Sequence, residues 1–273
     1  MKITTSMIVV GVDGSPESVA AYRFAQHELA QGDRYKSILI VASLTDPLGL
    51  GNDDAVDDAR AAAMRQHIVE AVGESDLQIE VRSGDPAHVL AEVSDDAGLL
   101  VIGKRGHGGF RSLVLGSTAS SCLGIAKCPV MVIPSTFENS LTSELVVGID
   151  GSLSSHRALA WAIEEAAGRS VNVELVATWR RPHLWEPVQG SPGHYEALAD
   201  HALEDAMSSL DSKGVLVATH SIEGHPSEVL LSRSETAGLI VLGNEAHKGG
   251  RIHAHATAVE IASHSVCPVV VVP

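Results

Sequence analysis

The strongest constraint on the fold is that this chain of 273 residues repeats its own sequence once. The segment VVGVDGS at residues 9–15 recurs as VVGIDGS at residues 146–152. Three more pairs follow in the same order: GDP at 84–86 with GHP at 224–226, GLLVIG at 98–103 with GLIVLG at 238–243, and CPVMVIP at 128–134 with CPVVVVP at 267–273. Four landmarks in one order indicate a duplication, and we predict two tandem domains over residues 1–137 and 144–273.

Each copy alternates short apolar runs with longer segments of helical period, which predicts strands joined by helices. The strands expected in the first copy are Met7–Val12, Ser37–Leu44, Leu77–Ser83, Leu99–Gly103 and Val130–Ile133. The helices expected there are Pro16–Ala30, Ala55–Val72, Ala87–Asp96 and Ser117–Ala126. The strands expected in the second copy are Leu145–Ile149, Val171–Thr178, Val215–Ser221, Leu239–Gly243 and Val269–Val272. This alternation favours an α/β fold in which right-handed crossovers build parallel sheets.

Composition and charge argue against several classes of protein. Acidic residues outnumber basic ones by 34 to 19, and the net charge of −15 speaks against nucleic acid or an anionic membrane as the partner. The three cysteines form no CxxC pair, so we expect them to be reduced and buried. No apolar stretch has the length of a membrane span and no signal-peptide core follows Met1, so the interpretation is a cytoplasmic protein.

A glycine-rich connection follows the fourth strand of the first copy. It reads GKRG at residues 103–106, then nine residues, then GST at residues 116–118, where a helix is expected to begin. Glycines let backbone N–H groups approach phosphate oxygens, and a helix start adds free N–H groups and partial positive charge. The connection therefore predicts a phosphate-binding loop.

Basic side chains concentrate in this loop although the chain as a whole is acidic. Lys104, Arg105, His107 and Arg111 all lie between Gly103 and Gly116, and such a local reversal of charge is what an anion site requires. The pattern matches neither the GxxxxGK[ST] phosphate loop nor the GxGxxG dinucleotide fingerprint. From the residues alone, a mobile loop without a ligand remains the alternative.

The spacing G-x2-G-x9-G-S, Asp13 at the end of the first strand, and the CPV-apolar-Pro ends of both copies resemble the ATP-binding branch of the universal stress protein family. The resemblance covers nearly the whole chain, twice. It implies two tandem Rossmann-like domains of the adenine nucleotide α-hydrolase type, each a five-stranded parallel sheet flanked by helices. It also implies that ATP, alone or with Mg²⁺, lies across the carboxyl ends of the strands, where open α/β sheets bind ligands.

The resemblance assigns a role to each residue that matches the family motif. Asp13 would contact the nucleoside beside the backbone of Gly11 and Val12, and Val41 would touch the adenine. The residues expected around the ribose and the phosphates are Gly103, Lys104, Arg105, Gly106, His107, Gly116, Ser117 and Thr118. Asp13 and Val41 also have structural alternatives, as a residue that orders the entry to the first helix and as ordinary core. No catalytic residue and no metal ligand are assigned.

The second copy departs from this motif at its phosphate end. It reads GNEA at residues 243–246, then nine residues, then AT at residues 256–257. Alanine replaces two motif glycines, and Glu245 stands where the first copy has Arg105. A methyl group and a carboxylate both oppose a phosphate, so we predict one ATP per chain, held by the first domain.

These inferences favour a non-enzymatic ATP-binding protein of a stress or growth-state response, with nucleotide occupancy governing its conformation or its choice of partner. The regulatory role comes from the resemblance, whereas the residues themselves argue for phosphate binding. One alternative is a slow ATPase or phosphotransferase, for which His107 could serve as the base. The other is an interaction scaffold that no longer binds nucleotide.

The two domains are expected to form an intramolecular pseudo-dimer, and a homodimer of whole chains stays open. The fifth strands, Val130–Ile133 and Val269–Val272, are apolar and bounded by prolines, as sheet-edge strands often are. The resemblance implies that such strands pair between protomers. Residues 1–137 expressed alone should therefore dimerise or aggregate in size-exclusion chromatography with light scattering, and a stable monomer of that fragment would contradict the expectation.

Overall fold

The chain divides into two compact units, Met1–Asn139 and Ser140–Pro273, in the computed structural model. The described residues are 6–31, 34–45, 54–106, 114–135, 137, 143–181, 192–208, 210–244 and 252–273. Each unit is an α/β domain with helices packed against parallel strands, which confirms the fold class expected from the alternating pattern.

The first unit is a parallel sheet with a helix in each crossover. Its elements are β1 (Met7–Gly11), α1 (Pro16–Gln31), β2 (Ser37–Leu44), α2 (Asp54–Val72), β3 (Ile79–Ser83), α3 (Pro86–Val93), β4 (Leu99–Gly103), α4 (Ser117–Ile125) and β5 (Val130–Ile133). The strand order is β3-β2-β1-β4-β5, and every neighbouring pair is parallel.

The second unit repeats this plan. Its elements are β6 (Leu145–Gly148), α5 (Leu153–Arg169), β7 (Val173–Trp179), α6 (Pro192–Ser208), β8 (Val217–Glu223), α7 (Pro226–Arg233), β9 (Leu239–Gly243), α8 (Ile252–His264) and β10 (Val269–Val272). The strand order is β10-β9-β6-β7-β8, again parallel throughout.

The strand order decides which helices share a face of the sheet. In the first unit the chain moves from β1 to β3 in one direction and then returns to β4 on the other side of β1. Because parallel crossovers are right-handed, α1 and α2 lie on one face and α3 and α4 on the other. The direction of winding reverses between β1 and β4, and a crevice forms at the carboxyl ends of the strands at such a switch point. The second unit reverses in the same way between β6 and β9.

Aliphatic strands covered on both faces form the two cores. Ile8, Val9 and Val10 of β1 have no solvent exposure. Because aromatic residues make up only 3% of the chain, the cores are built from Val, Ile, Leu and Ala. All three cysteines are free and buried, as expected, and burial raises the pKa of Cys122 to about 12. None of the helices within the described ranges is long and apolar enough to cross a bilayer.

Several predicted boundaries differ from the structure by one to three residues, and two of these differences have local reasons. The strand expected at Val215–Ser221 runs over Val217–Glu223, because Lys213 and Gly214 have positive φ angles of 49° and 82° and form a turn. The helix expected to reach Asp96 ends at Val93, where the N–H of Ser94 donates to Leu90 O at 3.0 Å and closes the last turn.

The last residue of β4, and likewise of β9, must be glycine because a helix passes directly over it. A Cβ on Gly103 would lie 2.7 Å from the carbonyl oxygen of Glu17, in the first turn of α1. A Cβ on Gly243 would lie 2.5 Å from the N atom of Ser155, in the first turn of α5. Real Cβ atoms do not approach backbone this closely, so both copies retain this glycine for packing.

This contact predicts opposite effects for two glycine substitutions in the second unit. Gly243→Ala should lower the free energy of unfolding by about 1–3 kcal/mol, since the methyl group overpacks against the backbone of α5. Gly168→Ala is the matched control, because Gly168 lies within α5 and a Cβ there would meet nothing within 4 Å. That change should raise the free energy of unfolding by up to about 1 kcal/mol. Urea unfolding followed by circular dichroism measures both, and equal effects would contradict the packing argument.

Candidate functional site

A tight turn joins β1 to α1 and fixes the orientation of Asp13. Gly14 has a φ of +86°, in the left-handed region that favours glycine. The backbone N–H and the hydroxyl of Ser15 both donate to Oδ1 of Asp13, at 3.0 and 2.6 Å. The Ser15 hydroxyl also accepts from the N–H of Ser18 at 3.2 Å, which makes Ser15 the N-cap of α1. Asp13 therefore orders the entry to α1, the structural alternative considered for it.

A cavity of about 480 Å³ lies at the carboxyl ends of β1, β2 and β4. Its lining includes eleven of the twelve residues expected from the sequence: Gly11, Val12, Asp13, Val41, Gly103, Lys104, Arg105, Gly106, Gly116, Ser117 and Thr118. The twelfth, His107, lies outside the described residues, as does Arg111. The fold thus gathers segments from both ends of the first unit at the switch point between β1 and β4.

Apolar side chains form one part of the lining. Val41 is only 1% exposed, and its carbonyl accepts a hydrogen bond from the N–H of Val12 at 3.0 Å. Val41 therefore belongs both to the core and to the cavity wall, so the two interpretations of this residue are compatible. Leu90 and Ile102 extend the wall from α3 and β4. Such a surface suits the face of a flat heterocycle.

Several polar residues of the lining are absent from the set expected from the sequence. They are Ser18, Ser43, Thr45, Asp85 and Ser121. The sequence contained features that could have pointed to three of these residues. Ser43 and Thr45 follow the buried part of the strand next to β1, and parallel strands end at the same edge of a sheet. Asp85 belongs to the GDP landmark of the repeat, whose role in the site the sequence did not reveal.

The carboxylate of Asp85 caps α3 and faces the same cavity. Its Oδ1 accepts from the N–H groups of Ala87 and His88, both at 3.1 Å, and lies 2.9 Å from Nδ1 of His88. The hydrogen bond from the His88 side chain lowers the pKa of Asp85 below its ordinary value. Within the ranges described above, no three His, Cys, Asp or Glu side chains gather closely enough to hold a metal ion.

Two cations line the cavity from the loop after β4. Burial, followed by repulsion from Arg105, lowers the pKa of Lys104 below its ordinary value. Nη2 of the exposed Arg105 side chain lies 3.6 Å from Oε1 of Glu17. An anion bound in the cavity would relieve the repulsion between the two neighbouring cations.

The two glycine segments of the loop are joined through the backbone. The N–H of Gly116 donates to the carbonyl of Lys104 at 2.9 Å, and the N–H of Lys104 donates to Ile133 O at 3.0 Å. Gly116 is the N-cap of α4 and has no side chain with which to cap it. The first N–H groups of a helix have no acceptor within the helix, so the start of α4 offers donors to an anion.

The structure separates the roles of two glycines that sequence reasoning treated alike. A Cβ on Gly106 would collide with Oδ2 of Asp13, so a side chain there would displace a carboxylate of the cavity lining as well as filling space. A Cβ on Gly116 would lie 3.4 Å from Lys104 O and 3.5 Å from the Cα of Arg105, which are ordinary contact distances. Only Gly116 can therefore be changed to alanine as a clean test of ligand binding.

The second unit builds a corresponding cavity of about 640 Å³. The turn is the same: Gly151 has a φ of +76°, and the N–H of Ser152 donates to Oδ1 of Asp150 at 3.0 Å. Equivalent positions recur in the lining as Gly148, Ile149, Asp150, Val176, Ala177, Pro226, Leu230, Leu242 and Gly243. Glu245 and Ala246 lie outside the described residues.

The last helix begins at different places in the two units. Gly116 and Ala256 each lie 13 residues after the glycine that ends the fourth strand of their unit. Gly116 precedes α4, whereas Ala256 lies inside α8, which already begins at Ile252. The N–H groups beyond Ala256 therefore have acceptors in the preceding helical turn and are not available to an anion. Sequence reasoning noted the alanine but missed the longer helix.

Comparison with known proteins agrees with the repeat and the fold. The sequence profile of the Universal stress protein family matches residues 5–134 and again residues 143–273. A universal stress protein of Mycobacterium tuberculosis (strain CDC 1551 / Oshkosh) is 28% identical over 271 residues, covering 89% of this chain and 87% of the relative. Another, from Mycobacterium bovis (strain ATCC BAA-935 / AF2122/97), is 30% identical over 267 residues, covering 89% and 88%.

A solved structure supports the same fold across both units. The crystal structure of a universal stress protein from Archaeoglobus fulgidus DSM 4304 is similar with a TM-score of 0.70 at 20% identity, covering 99% of this chain and 98% of that one. Two family matches account for nearly all of the sequence. The chain belongs to the universal stress protein family, as a member with two tandem domains.

Proposed function

We propose that the protein is an ATP-binding regulator of a stress or growth-state response, and that each chain holds one ATP in its first unit. The observation that carries this proposal is the meeting of Lys104, Arg105 and the uncapped start of α4 at one cavity. Donors and positive charge converge there in a chain whose net charge is −15. Such convergence suits a polyphosphate.

The rest of the cavity suits the adenosine portion. Val41, Leu90 and Ile102 provide an apolar wall for the base, and the Asp13 carboxylate can accept hydrogen bonds from ligand hydroxyl or amino groups. A volume of about 480 Å³ lies within the usual range for small-molecule sites. If Mg²⁺ accompanied ATP, the phosphate oxygens would supply ligands of the kind that it prefers.

The state of the two carboxylates in the cavity favours binding over catalysis. Oδ1 of Asp13 accepts hydrogen bonds from Ser15, and Oδ1 of Asp85 accepts them from the start of α3. Hydrogen bonding from His88 holds the pKa of Asp85 below its ordinary value, which makes that carboxylate a weak base toward water. We therefore propose that the protein is regulated by whether nucleotide is bound, and not by nucleotide turnover.

The proposal predicts one ATP per chain in calorimetric titration of nucleotide-stripped protein. Arg105→Glu should weaken binding by about tenfold or more, because a charge-assisted hydrogen bond worth about 1.5–3 kcal/mol is lost. Gly116→Ala should weaken it similarly by placing a methyl group at the start of α4. Neither change should lower the free energy of unfolding by more than about 1 kcal/mol, since the Arg105 side chain is exposed and a methyl at 116 meets only ordinary contacts.

A matched control separates the site from the overall charge. Arg65→Glu makes the same change of charge at an exposed position of α2 that does not line the cavity, and it should leave ATP affinity within about twofold of the wild type. A stoichiometry near two, or equal affinities for Arg105→Glu and Arg65→Glu, would show that the first unit does not hold the nucleotide as proposed.

The proposal also predicts that ATP turnover stays below about 1 per second, the lower end of ordinary enzymes. Phosphate release under saturating Mg-ATP measures it. The Arg105→Glu protein, purified in parallel, reports any contaminating ATPase in a second measurement at an ATP concentration near the wild-type Kd, where a protein that binds about tenfold more weakly is mostly empty. Faster turnover that disappears in Arg105→Glu would establish an enzyme instead.

A further inference from the structure

Strand β8 lies at the end of the strand order in the second unit, next to β7, and its outer edge is open. Even-numbered residues make the bonds to β7: the carbonyl of Leu216 accepts from Val173 at 3.0 Å, and the N–H of Gly224 donates to Trp179 O at 2.8 Å. Backbone groups alternate along a strand, so those of the odd-numbered residues point away from β7. These outward residues are Val217, Thr219, Ser221 and Glu223. Their N–H and C=O groups have no backbone partner within the described parts of the chain, and such an edge is a template for another strand.

The corresponding edge strand of the first unit, β3, is protected by charge. The repeat aligns the two strands, because Gly84 follows β3 as Gly224 follows β8. At the even-numbered positions the first copy has Asp76, Gln78, Glu80 and Arg82, where the second has Leu216, Ala218, His220 and Ile222. Nε of Arg82 lies 2.5 Å from Oε1 of Glu80. Charged side chains on an edge strand prevent pairing between sheet edges, and the edge of the second unit has none from Leu216 to Ile222.

The even-numbered residues of this edge are accessible to a partner. Leu216 is 72% exposed, and Ala218 and His220 are also exposed. Nε2 of His220 lies 3.5 Å from Oε1 of the buried Glu174, and Nη1 of Arg233 contacts the same oxygen at 2.7 Å. Because Arg233 balances the charge of Glu174 from within the unit, the exposed edge carries little net charge.

We infer that β8 is a dimerisation edge, which pairs in antiparallel orientation with β8 of a second copy of this chain. A two-fold axis at His220 aligns the outward backbone groups, so that Thr219 lies opposite the partner's Ser221 and Val217 opposite the partner's Glu223. Each such pair exchanges two hydrogen bonds, and the symmetric contact contains about eight. The same surface serves both copies, as in most dimers.

The side chains favour a second copy as the partner. In this register Ala218 faces the partner's Ile222, and the exposed Leu216 lies opposite the partner's Gly224, so apolar surface is covered on both copies. The same pairing of β3 would place Glu80 directly against Glu80, which like charges disfavour.

The charge of the chain is compatible with this contact. Two chains of net charge −15 repel each other, but residues 216–222 include no Asp, Glu, Lys or Arg. At physiological ionic strength, charges farther apart than about 8 Å are largely screened. An uncharged strand also offers no charge by which to select a basic or acidic peptide, whereas it is complementary to itself.

Sedimentation equilibrium of the full-length protein tests the assembly and the role of the backbone. The mass should rise reversibly with concentration toward twice the chain mass of 28.6 kDa. Thr219→Pro should raise the dimer Kd by about tenfold or more, because the symmetry makes one substitution remove two hydrogen bonds. Proline is tolerated on an edge strand where the missing N–H faces solvent, so the monomer should still fold, as circular dichroism can check. Thr219→Val is the matched control: it keeps the N–H and the branched shape, and should leave the Kd within about twofold.

Two cysteine substitutions locate the two-fold axis. At the axis the two copies of residue 220 form a non-hydrogen-bonded pair, whose Cα atoms are about 4.5 Å apart, a distance that a disulfide can bridge. His220→Cys should therefore give a covalent dimer under mild oxidation. Ala218→Cys is exposed on the same face of the same strand, but its two copies would lie about 14 Å apart and should stay unlinked. The three native cysteines are buried, so they do not compete.

Three results would overturn the inference: the mass of a single chain at every concentration, a dimer Kd that responds alike to Thr219→Pro and Thr219→Val, or equal crosslinking of His220→Cys and Ala218→Cys. The inference does not rest on the proposed function, because β8 pairs through its own backbone. Nucleotide-stripped protein and the Arg105→Glu variant should both dimerise like the wild type, so a failure of ATP binding leaves the dimer untouched.

Discussion

The first turn of α1 lies directly against the carboxyl end of β4, and the position of the candidate site follows from this contact. Because Gly103 has no side chain, β4 passes under Glu17 and turns into the loop at Lys104. The same helix begins at the turn that orients Asp13. One helix therefore fixes both the acidic and the basic side of the cavity. A wider separation between α1 and β4 would move Lys104 and Arg105 away from the carboxyl ends of the strands.

The two cavities have the same geometry at the end of the first strand and differ where the last helix of each unit begins. In both, a glycine with positive φ, a serine cap and an aspartate end the first strand in the same geometry. The units diverge where the last helix starts: after Gly116 in the first and at Ile252, four residues before Ala256, in the second. Moving a helix start changes which backbone donors are available, so a short segment alters the donors at the cavity while the sheet stays the same.

The sequence was informative wherever local chemistry decides the structure. Repeat landmarks and apolar runs predicted the parallel sheets. The resemblance to the family implied twelve site residues, and eleven of them line one cavity. The sequence was not sufficient where contacts between residues far apart in the chain determine the structure. A side chain at position 106 would clash with Asp13, which lies about ninety positions earlier in the chain. The early start of α8 did leave a local trace, because residues 252–258 contain three alanines and no glycine or proline.

The continuous helix at Ala256 also constrains how this protein can evolve. Replacing that alanine by glycine would not recreate an anion site, because the donors would still be paired within α8; it would only weaken the helix, by roughly 1 kcal/mol. Several residues before it would have to unwind at the same time. Because the helix runs through this position, a single substitution there cannot restore a free helix start.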